Sequence, residues 1–153
     1  MVVTSGAVAT AGSTPSRAHT TGKDAPTVQA ILTGKDITDM RALAKEVPIA
    51  SHVKDFAARL VLATHPAEGS AIAKKYLRYG SSPRGAQSIV RASKILALMK
   101  GRYNVSFSDL KEAAFPALRH RMILNFEAEA EGIRPDAIIE KILSEIPEVA
   151  AAR

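Results

Sequence analysis

Apolar residues recur at intervals of three and four from about Thr33 to Ile146, and this spacing predicts a series of amphipathic helices. Serine or threonine precedes several of these stretches, and proline or glycine follows them, as is typical of helix ends. Thr33 with Asp36 three residues later predicts one helix start, and Ser70 predicts the start of a short helix that runs to about Tyr79. The most regular row lies between Ser82 and Gly101 and predicts a helix central to the core: Ile89, Ala92, Leu96 and Met99. We therefore predict an all-α fold, a small bundle of about five to six helices.

Four segments differ in pattern along the chain. Residues 1–25 are rich in Ala, Thr, Ser and Gly and follow no helical or strand period, which predicts a disordered tail. Residues 26–50 are expected to form a linker and a leading helix, residues 51–132 the main helical domain, and residues 133–153 a C-terminal helix and tail. The apolar stripe of that last helix needs a partner surface, either the body of this chain or another domain.

The composition narrows the function classes. The chain has 153 residues and no cysteine, and it is 46% hydrophobic, which fits one soluble domain without disulfides, cysteine nucleophiles or cysteine-ligated metals. No apolar run approaches the roughly 18 residues of a membrane span, and the N-terminus does not follow the order of a secretory signal. We therefore expect a cytoplasmic protein with no membrane span.

Positive charge is concentrated in the middle of the chain. The net charge is +6, and residues 51–125 hold 13 basic against 4 acidic side chains. Within the helix after Ser82, four polar residues at intervals of three, four and three form a basic ridge: Arg84, Gln87, Arg91 and Lys94. Such a ridge is either a solvated face or a surface for phosphates or acidic side chains.

The turn from Tyr79 to Ala86 contains the main candidate site. Ser82 suits the N-cap of the following helix, and Pro83 suits its first position, because that position needs no amide donor. Arg84 then lies in the first turn, where the helix dipole favours anions rather than cations. A bound anion would remove this conflict. An exposed arginine with no ligand is the simpler interpretation of the turn alone.

The sequence lacks several common catalytic motifs. Neither Gly22-Lys23-Asp24 nor Gly34-Lys35-Asp36 completes a Walker A phosphate loop, and no apolar strand ends in Asp-Glu. No Gly-x-Ser-x-Gly elbow is present, and the four histidines are scattered. We therefore assign no catalytic residue and no metal ligand in this chain.

Several blocks resemble the C-terminal helical lid of the MoxR family of AAA+ ATPases, in order and spacing over about residues 37–146. These blocks are Val47-Pro48-Ile49-Ala50, Ala63-Thr64-His65-Pro66, Tyr79-Gly80-Ser81-Ser82-Pro83-Arg84-Gly85-Ala86, Gly101-Arg102-Tyr103, Leu118-Arg119-His120-Arg121 and Leu124 to Gly132. The resemblance implies the AAA+ lid type of helical bundle.

The resemblance also implies a role for the candidate turn. In that family the Ser-Pro-Arg turn is the sensor 2 element, so Ser82, Pro83 and Arg84 would meet the phosphates of ATP, held with Mg²⁺ by a P-loop core domain. The family forms ring-shaped, chaperone-like remodelling ATPases, often with von Willebrand factor A domain partners. The family's Walker A and Walker B segments would precede this region. We therefore expect that this chain alone neither hydrolyses ATP nor binds it tightly.

Two other functions remain open. A stand-alone basic domain could bind nucleic acid, although exposed aromatic residues are scarce and no recognition helix is evident. A protein-interaction domain could instead dock through the apolar stripe of the last helix, which contains Ile138, Ile139, Ile142, Leu143 and Ile146.

Overall fold

The structure, a computed structural model, describes residues 30–149. The chain divides into two units between Ala42 and Leu43, inside the first helix. The predicted disordered tail, residues 1–25, lies outside the described residues.

The described residues form seven helices and one pair of very short strands. In chain order the elements are α1 (Gly34–Glu46), α2 (Ser51–Ala63), α3 (Ala71–Tyr76), β1 (Leu77–Tyr79), α4 (Pro83–Met99), α5 (Phe107–Leu118), β2 (Ile123–Leu124), α6 (Phe126–Ala130) and α7 (Pro135–Glu145). This confirms the predicted all-α bundle. The additional helix, α6, has only five residues.

The strand pair is a feature that the helical pattern did not predict. The helix predicted from Ser70 to about Tyr79 ends at Tyr76, and β1 then pairs antiparallel with β2, with Leu77 opposite Leu124 and Tyr79 opposite Ile123. The pair therefore ties the segment entering α4 to the segment leaving α5.

The first unit contains the start of α1. The backbone amide of Asp36 donates to the Thr33 hydroxyl (3.3 Å), and the Thr33 amide donates to the Asp36 carboxylate (2.8 Å). This reciprocal capping box confirms the predicted helix start. Ile37 and Met40 are 42% and 53% exposed, so the apolar face of this part of α1 is not covered.

The second unit contains the hydrophobic core. Its largest fully buried apolar side chains come from several helices: Phe56, Leu60, Ile89, Leu110, Leu118, Ile138, Ile139 and Ile142. Burying a side chain of this size stabilises a fold by about 1.5–3 kcal/mol. The core is therefore shared by α2, α4, α5 and α7.

The buried side of α4 differs from the predicted row. Gly85, Ile89, Ser93 and Ala97 are buried, whereas Met99 is 78% exposed. Three of the buried residues are small, and the Ser93 hydroxyl is satisfied by donating to the Ile89 carbonyl (2.7 Å). The hydrophobic pattern missed this face because close helix packing selects small side chains rather than apolar ones.

The partner of the C-terminal stripe is the body of this chain. In α7, Ile138, Ile139 and Ile142 are fully buried, and α7 contacts α2, α3 and α5. Arg59 then holds the segment after α7, donating to the carbonyls of Pro147 (2.7 Å) and Glu148 (2.9 Å).

Pro116 does not break α5 where it stands. The helix continues through this exposed proline to Leu118, two residues further on.

None of the helices in the described residues is long and apolar enough to cross a membrane.

Candidate functional site

The candidate turn connects β1 to α4. Ser82 occupies the N-cap position with extended backbone angles (φ −69°, ψ 167°), and Pro83 is the first residue of the helix. The predicted cap through the Ser82 hydroxyl is wrong, because that hydroxyl makes no capping hydrogen bond. The Ser82 carbonyl instead accepts from the amide of Gly85 (2.7 Å), so the backbone itself closes the first turn.

Arg84 is exposed in the first turn of α4, and this turn contains no acidic residue. Within residues 30–149 its guanidinium makes no hydrogen bond or ion pair, while its backbone carbonyl accepts from the hydroxyl of Ser88 (2.9 Å). A cation at this end of a helix opposes the helix dipole. The side chain is therefore available to an anion brought by another body.

Two residues at the end of α2 hold the turn by its backbone. The Thr64 hydroxyl accepts from the amide of Ser81 (2.9 Å) and donates to the carbonyl of Val61 (2.6 Å). Nε2 of His65 lies 3.0 Å from the Ser81 carbonyl, and it must be the donor because a carbonyl can only accept. Thr64 and Ser81 are fully buried. We call this arrangement the Ser81 clamp.

Two glycines allow the close approach that the clamp requires. A Cβ atom at Gly80 would lie 2.4 Å from the Thr64 carbonyl oxygen, a backbone atom that cannot move aside cheaply. A Cβ atom at Gly85 would lie 2.2 Å from the Ser81 hydroxyl oxygen and 3.1 Å from Leu118 of α5. The glycines of this turn thus serve packing rather than an unusual backbone angle.

A second arginine reaches the same helix from the segment after α5. Nη2 of Arg121 donates to the Ser88 hydroxyl (3.2 Å), the same hydroxyl that donates to the Arg84 carbonyl. The sequence shows Arg121 only within the block Leu118-Arg119-His120-Arg121, and nothing local connects it with α4. Its neighbour Arg119 has a different role, binding both carboxylate oxygens of Asp136 (2.7 and 2.9 Å).

The rest of the predicted basic ridge is less uniform than its spacing suggests. Arg91 is exposed, but Lys94 is half-buried and donates to the backbone carbonyl of Lys45 (2.7 Å). Elsewhere in the basic middle segment, five cations pair with carboxylates: Lys75, Lys100, Arg102, Lys111 and Arg119. These ion pairs neutralise part of the excess positive charge.

The most buried charge lies at the start of α5, in contact with the end of α4. Asp109 is fully buried, and its carboxylate accepts from Lys100 (3.2 Å), from Arg102 and from the Ser106 amide (3.0 Å). Burial alone raises the pKa of Asp109, but the hydrogen bonds from Arg102, Ser106 and Lys100 outweigh it and hold that pKa well below its usual range. This cluster fixes the loop between α4 and α5.

Comparisons with known proteins agree with this geometry. Residues 69–142 match the AAA lid domain family. The chain is 31% identical over 127 residues to Chaperone MoxR1 of Mycobacterium tuberculosis, an alignment covering 82% of this chain and 34% of that protein. It is 36% identical over 81 residues to Protein MoxR of Paracoccus denitrificans, covering 52% of this chain and 24% of that protein.

A solved structure shares the fold. A crystal structure of a protein from Cytophaga hutchinsonii, described as an ATPase, is 38% identical to this chain with a TM-score of 0.73. The match covers 80% of this chain and 38% of that one. The chain thus spans about a third of the length of the relatives it matches. These matches, with the helical bundle and the Ser-Pro-Arg turn, show that the chain belongs to the MoxR family of AAA+ proteins and carries its lid domain.

Proposed function

We propose that this lid senses ATP through Arg84 and couples its hydrolysis to the remodelling of other proteins. The observation that supports the proposal most directly is the exposure of the Arg84 side chain and its lack of a partner in the described residues. The residue lies on a turn that the Ser81 clamp holds rigidly. A guanidinium placed in this way suits a phosphate, because its planar donors and permanent charge match phosphate oxygens.

The residues present fit a phosphate contact rather than a complete nucleotide site. The P-loop core of the same ATPase would hold ATP and Mg²⁺, which together supply the reactive phosphoryl group and its charge neutralisation. Ser82 and Pro83 would place Arg84 at the mouth of that site. Loss of the terminal phosphate would remove a charge-assisted contact, and this difference would favour one lid orientation over another.

The wider role follows from the family and its named relatives. Assembly into a ring, chaperone-like remodelling and cooperation with a von Willebrand factor A domain protein are proposals for the whole protein, of which this chain would provide the lid. A relative of this chain is named a chaperone. The cytoplasmic location remains a prediction from the sequence.

A chimeric ATPase tests the sensor role. Residues 43–149 would replace the lid of Chaperone MoxR1, and phosphate release would be measured with Mg²⁺ and ATP. We expect Arg84→Ala to lower kcat by about a hundredfold to a thousandfold, because removing one preorganised donor to a transition state costs on this order. Arg91→Ala removes an equal charge from an exposed position of α4 and should change kcat less than about twofold. Equal effects of the two variants would contradict the proposal.

The structure weakens both alternatives. A nucleic-acid surface would need a continuous set of available cations, whereas five of the 13 in the basic middle segment are paired with carboxylates. A docking stripe on α7 is not available, because Ile138, Ile139 and Ile142 are fully buried in this chain. Sequence-selective, nanomolar DNA or RNA binding at physiological salt would restore the first alternative.

A further inference from the structure

Arg121 is held beside the sensor turn without being neutralised. Its Nη2 donates to the Ser88 hydroxyl, one helical turn beyond Arg84, and that hydroxyl also contacts the Arg84 carbonyl. One hydroxyl group therefore separates the guanidinium of Arg121 from the backbone of Arg84. The two arginines are 37 positions apart in the chain, and the close packing of α4 on α5 brings them together.

Three other partly buried or paired arginines of this unit have more partners than Arg121. Arg59 also has a buried Nε without a hydrogen bond, but both of its Nη atoms donate to carbonyls, those of Pro147 and Glu148. Arg119 is paired with Asp136, and Arg102 is paired with the buried Asp109. Arg121 is half-buried, has no carboxylate partner within residues 30–149, and keeps a buried Nε without any hydrogen bond. The hydrogen bond to Ser88 is the one contact found for this guanidinium in the described residues, and a partly desolvated cation without a counter-charge is costly.

We propose that Arg121 is a second phosphate-binding residue, which joins Arg84 in a two-arginine site for a polyphosphate. This inference rests on the proposed function of Arg84 and extends it. A triphosphate carries several negative charges along a chain long enough to meet more than one guanidinium. Its oxyanions would supply the counter-charge that Arg121 lacks, and the Ser88 hydroxyl would keep the second guanidinium against the second turn of α4. Arg121 thereby adds selectivity for a chain of phosphates over a single one.

The probe is inorganic tripolyphosphate, titrated into the ¹⁵N-labelled full chain at constant ionic strength. Side-chain Nε–H signals of Arg84 and Arg121 and the backbone amide of Ser88 would be followed by NMR. We expect all three signals to shift together and saturate in the millimolar range. Glutarate, a dicarboxylate, is the matched probe for a carboxylate ligand and should shift them less.

Three single-charge variants separate the possible causes. Arg84→Gln and Arg121→Gln should each weaken tripolyphosphate binding about three- to tenfold, whereas the control Arg91→Gln should weaken it less than about twofold. Arg121→Lys keeps the charge without the planar donors and should fall between Arg121→Gln and the unchanged chain. Thermal unfolding of each variant establishes that it is folded. If Arg121→Gln does not fold, the response of the Arg121 signal in the unchanged chain decides.

Each outcome has a separate meaning. If Arg84→Gln binds tripolyphosphate as well as Arg91→Gln does, the proposed sensor role itself fails. If Arg84→Gln binds weakly but Arg121→Gln matches Arg91→Gln, only the two-arginine site is overturned. A response to glutarate equal to that of tripolyphosphate would show a carboxylate site and would overturn the inference, as would an Arg121 signal that does not move.

Discussion

The hydrogen bond from the Ser81 amide to the Thr64 hydroxyl, part of the Ser81 clamp, can be tested by removing that hydroxyl. Thr64→Val keeps the volume of the side chain but removes the hydroxyl, so the buried amide of Ser81 loses its acceptor. Leaving a buried donor unsatisfied costs about 1–3 kcal/mol. The Val61 carbonyl still accepts from the Thr64 amide (3.1 Å), so the lost hydroxyl leaves no second group unpaired.

We therefore expect Thr64→Val to lower the free energy of unfolding by about 2 kcal/mol. That is a substantial fraction of the roughly 5–15 kcal/mol typical of a whole domain. For a folded unit of this size it corresponds to a decrease of about 10 °C in Tm. Urea denaturation followed by far-UV circular dichroism measures the change, and the dependence on denaturant should stay the same.

Thr64→Ser is the matched control, because it keeps the hydroxyl and loses only a methyl group, which costs about 1 kcal/mol. Hydrogen exchange at the Ser81 amide should accelerate strongly in Thr64→Val and only slightly in Thr64→Ser. The reasoning is refuted if the valine variant loses less than about 0.5 kcal/mol, or if both variants release the Ser81 amide equally.

Three further predictions concern Gly80, Asp109 and Ile142 of the second unit, and Gly34 of the first unit serves as a control. Gly80→Ala should lower the free energy of unfolding by more than about 2 kcal/mol in urea titrations, because the new Cβ would lie 2.4 Å from the Thr64 carbonyl oxygen. As a control, a Cβ at Gly34 meets nothing within 4 Å, so Gly34→Ala should be nearly neutral. Asp109→Asn should cost about 2 kcal/mol at pH 7, by leaving Arg102 without its carboxylate. Because the pKa of Asp109 is lowered in the folded chain, its stabilisation is fully present above about pH 4 and is lost as pH falls further, so the two proteins should converge in acid denaturation curves. Ile142→Ala should cost about 2–5 kcal/mol by calorimetry, and an effect below 1 kcal/mol would contradict the docking of α7.

The helices were predictable because local signals determine most of their ends. The Thr33–Asp36 capping box and the Ser70 cap of α3 both occur where the sequence predicts a helix start. The Ser82 hydroxyl shows the limit of such signals, since the residue takes the N-cap position but its side chain makes no cap bond. The position of a helix end along the chain can be inferred from local sequence. The hydrogen-bond partner of a side chain at that end depends on how the chain packs.

The features that hold the site were not predictable, because they join distant segments. β1 and β2 are three and two residues long and about 45 positions apart, so neither has a period to detect. Thr64 and His65 stood out only within a family block, and no local pattern connects them with Ser81. The contact between Arg121 and Ser88 was likewise not predictable, because it depends on the packing of α5 against α4.

The small residues on the buried side of α4 determine how that helix can move. A Cβ atom at Gly85 would lie only 3.1 Å from Leu118 of α5, and Ser93 and Ala97 continue the same buried face. Close-packed interiors are scarcely compressible, so a helix seated in this way has little freedom to roll or slide locally. A displacement of Arg84 would therefore be carried along α4 to the exposed Met99, 15 positions and about 23 Å away. If Arg84 contacts a phosphate as proposed, α4 would act as a rigid rod that transmits the presence of that phosphate to the far end of the helix.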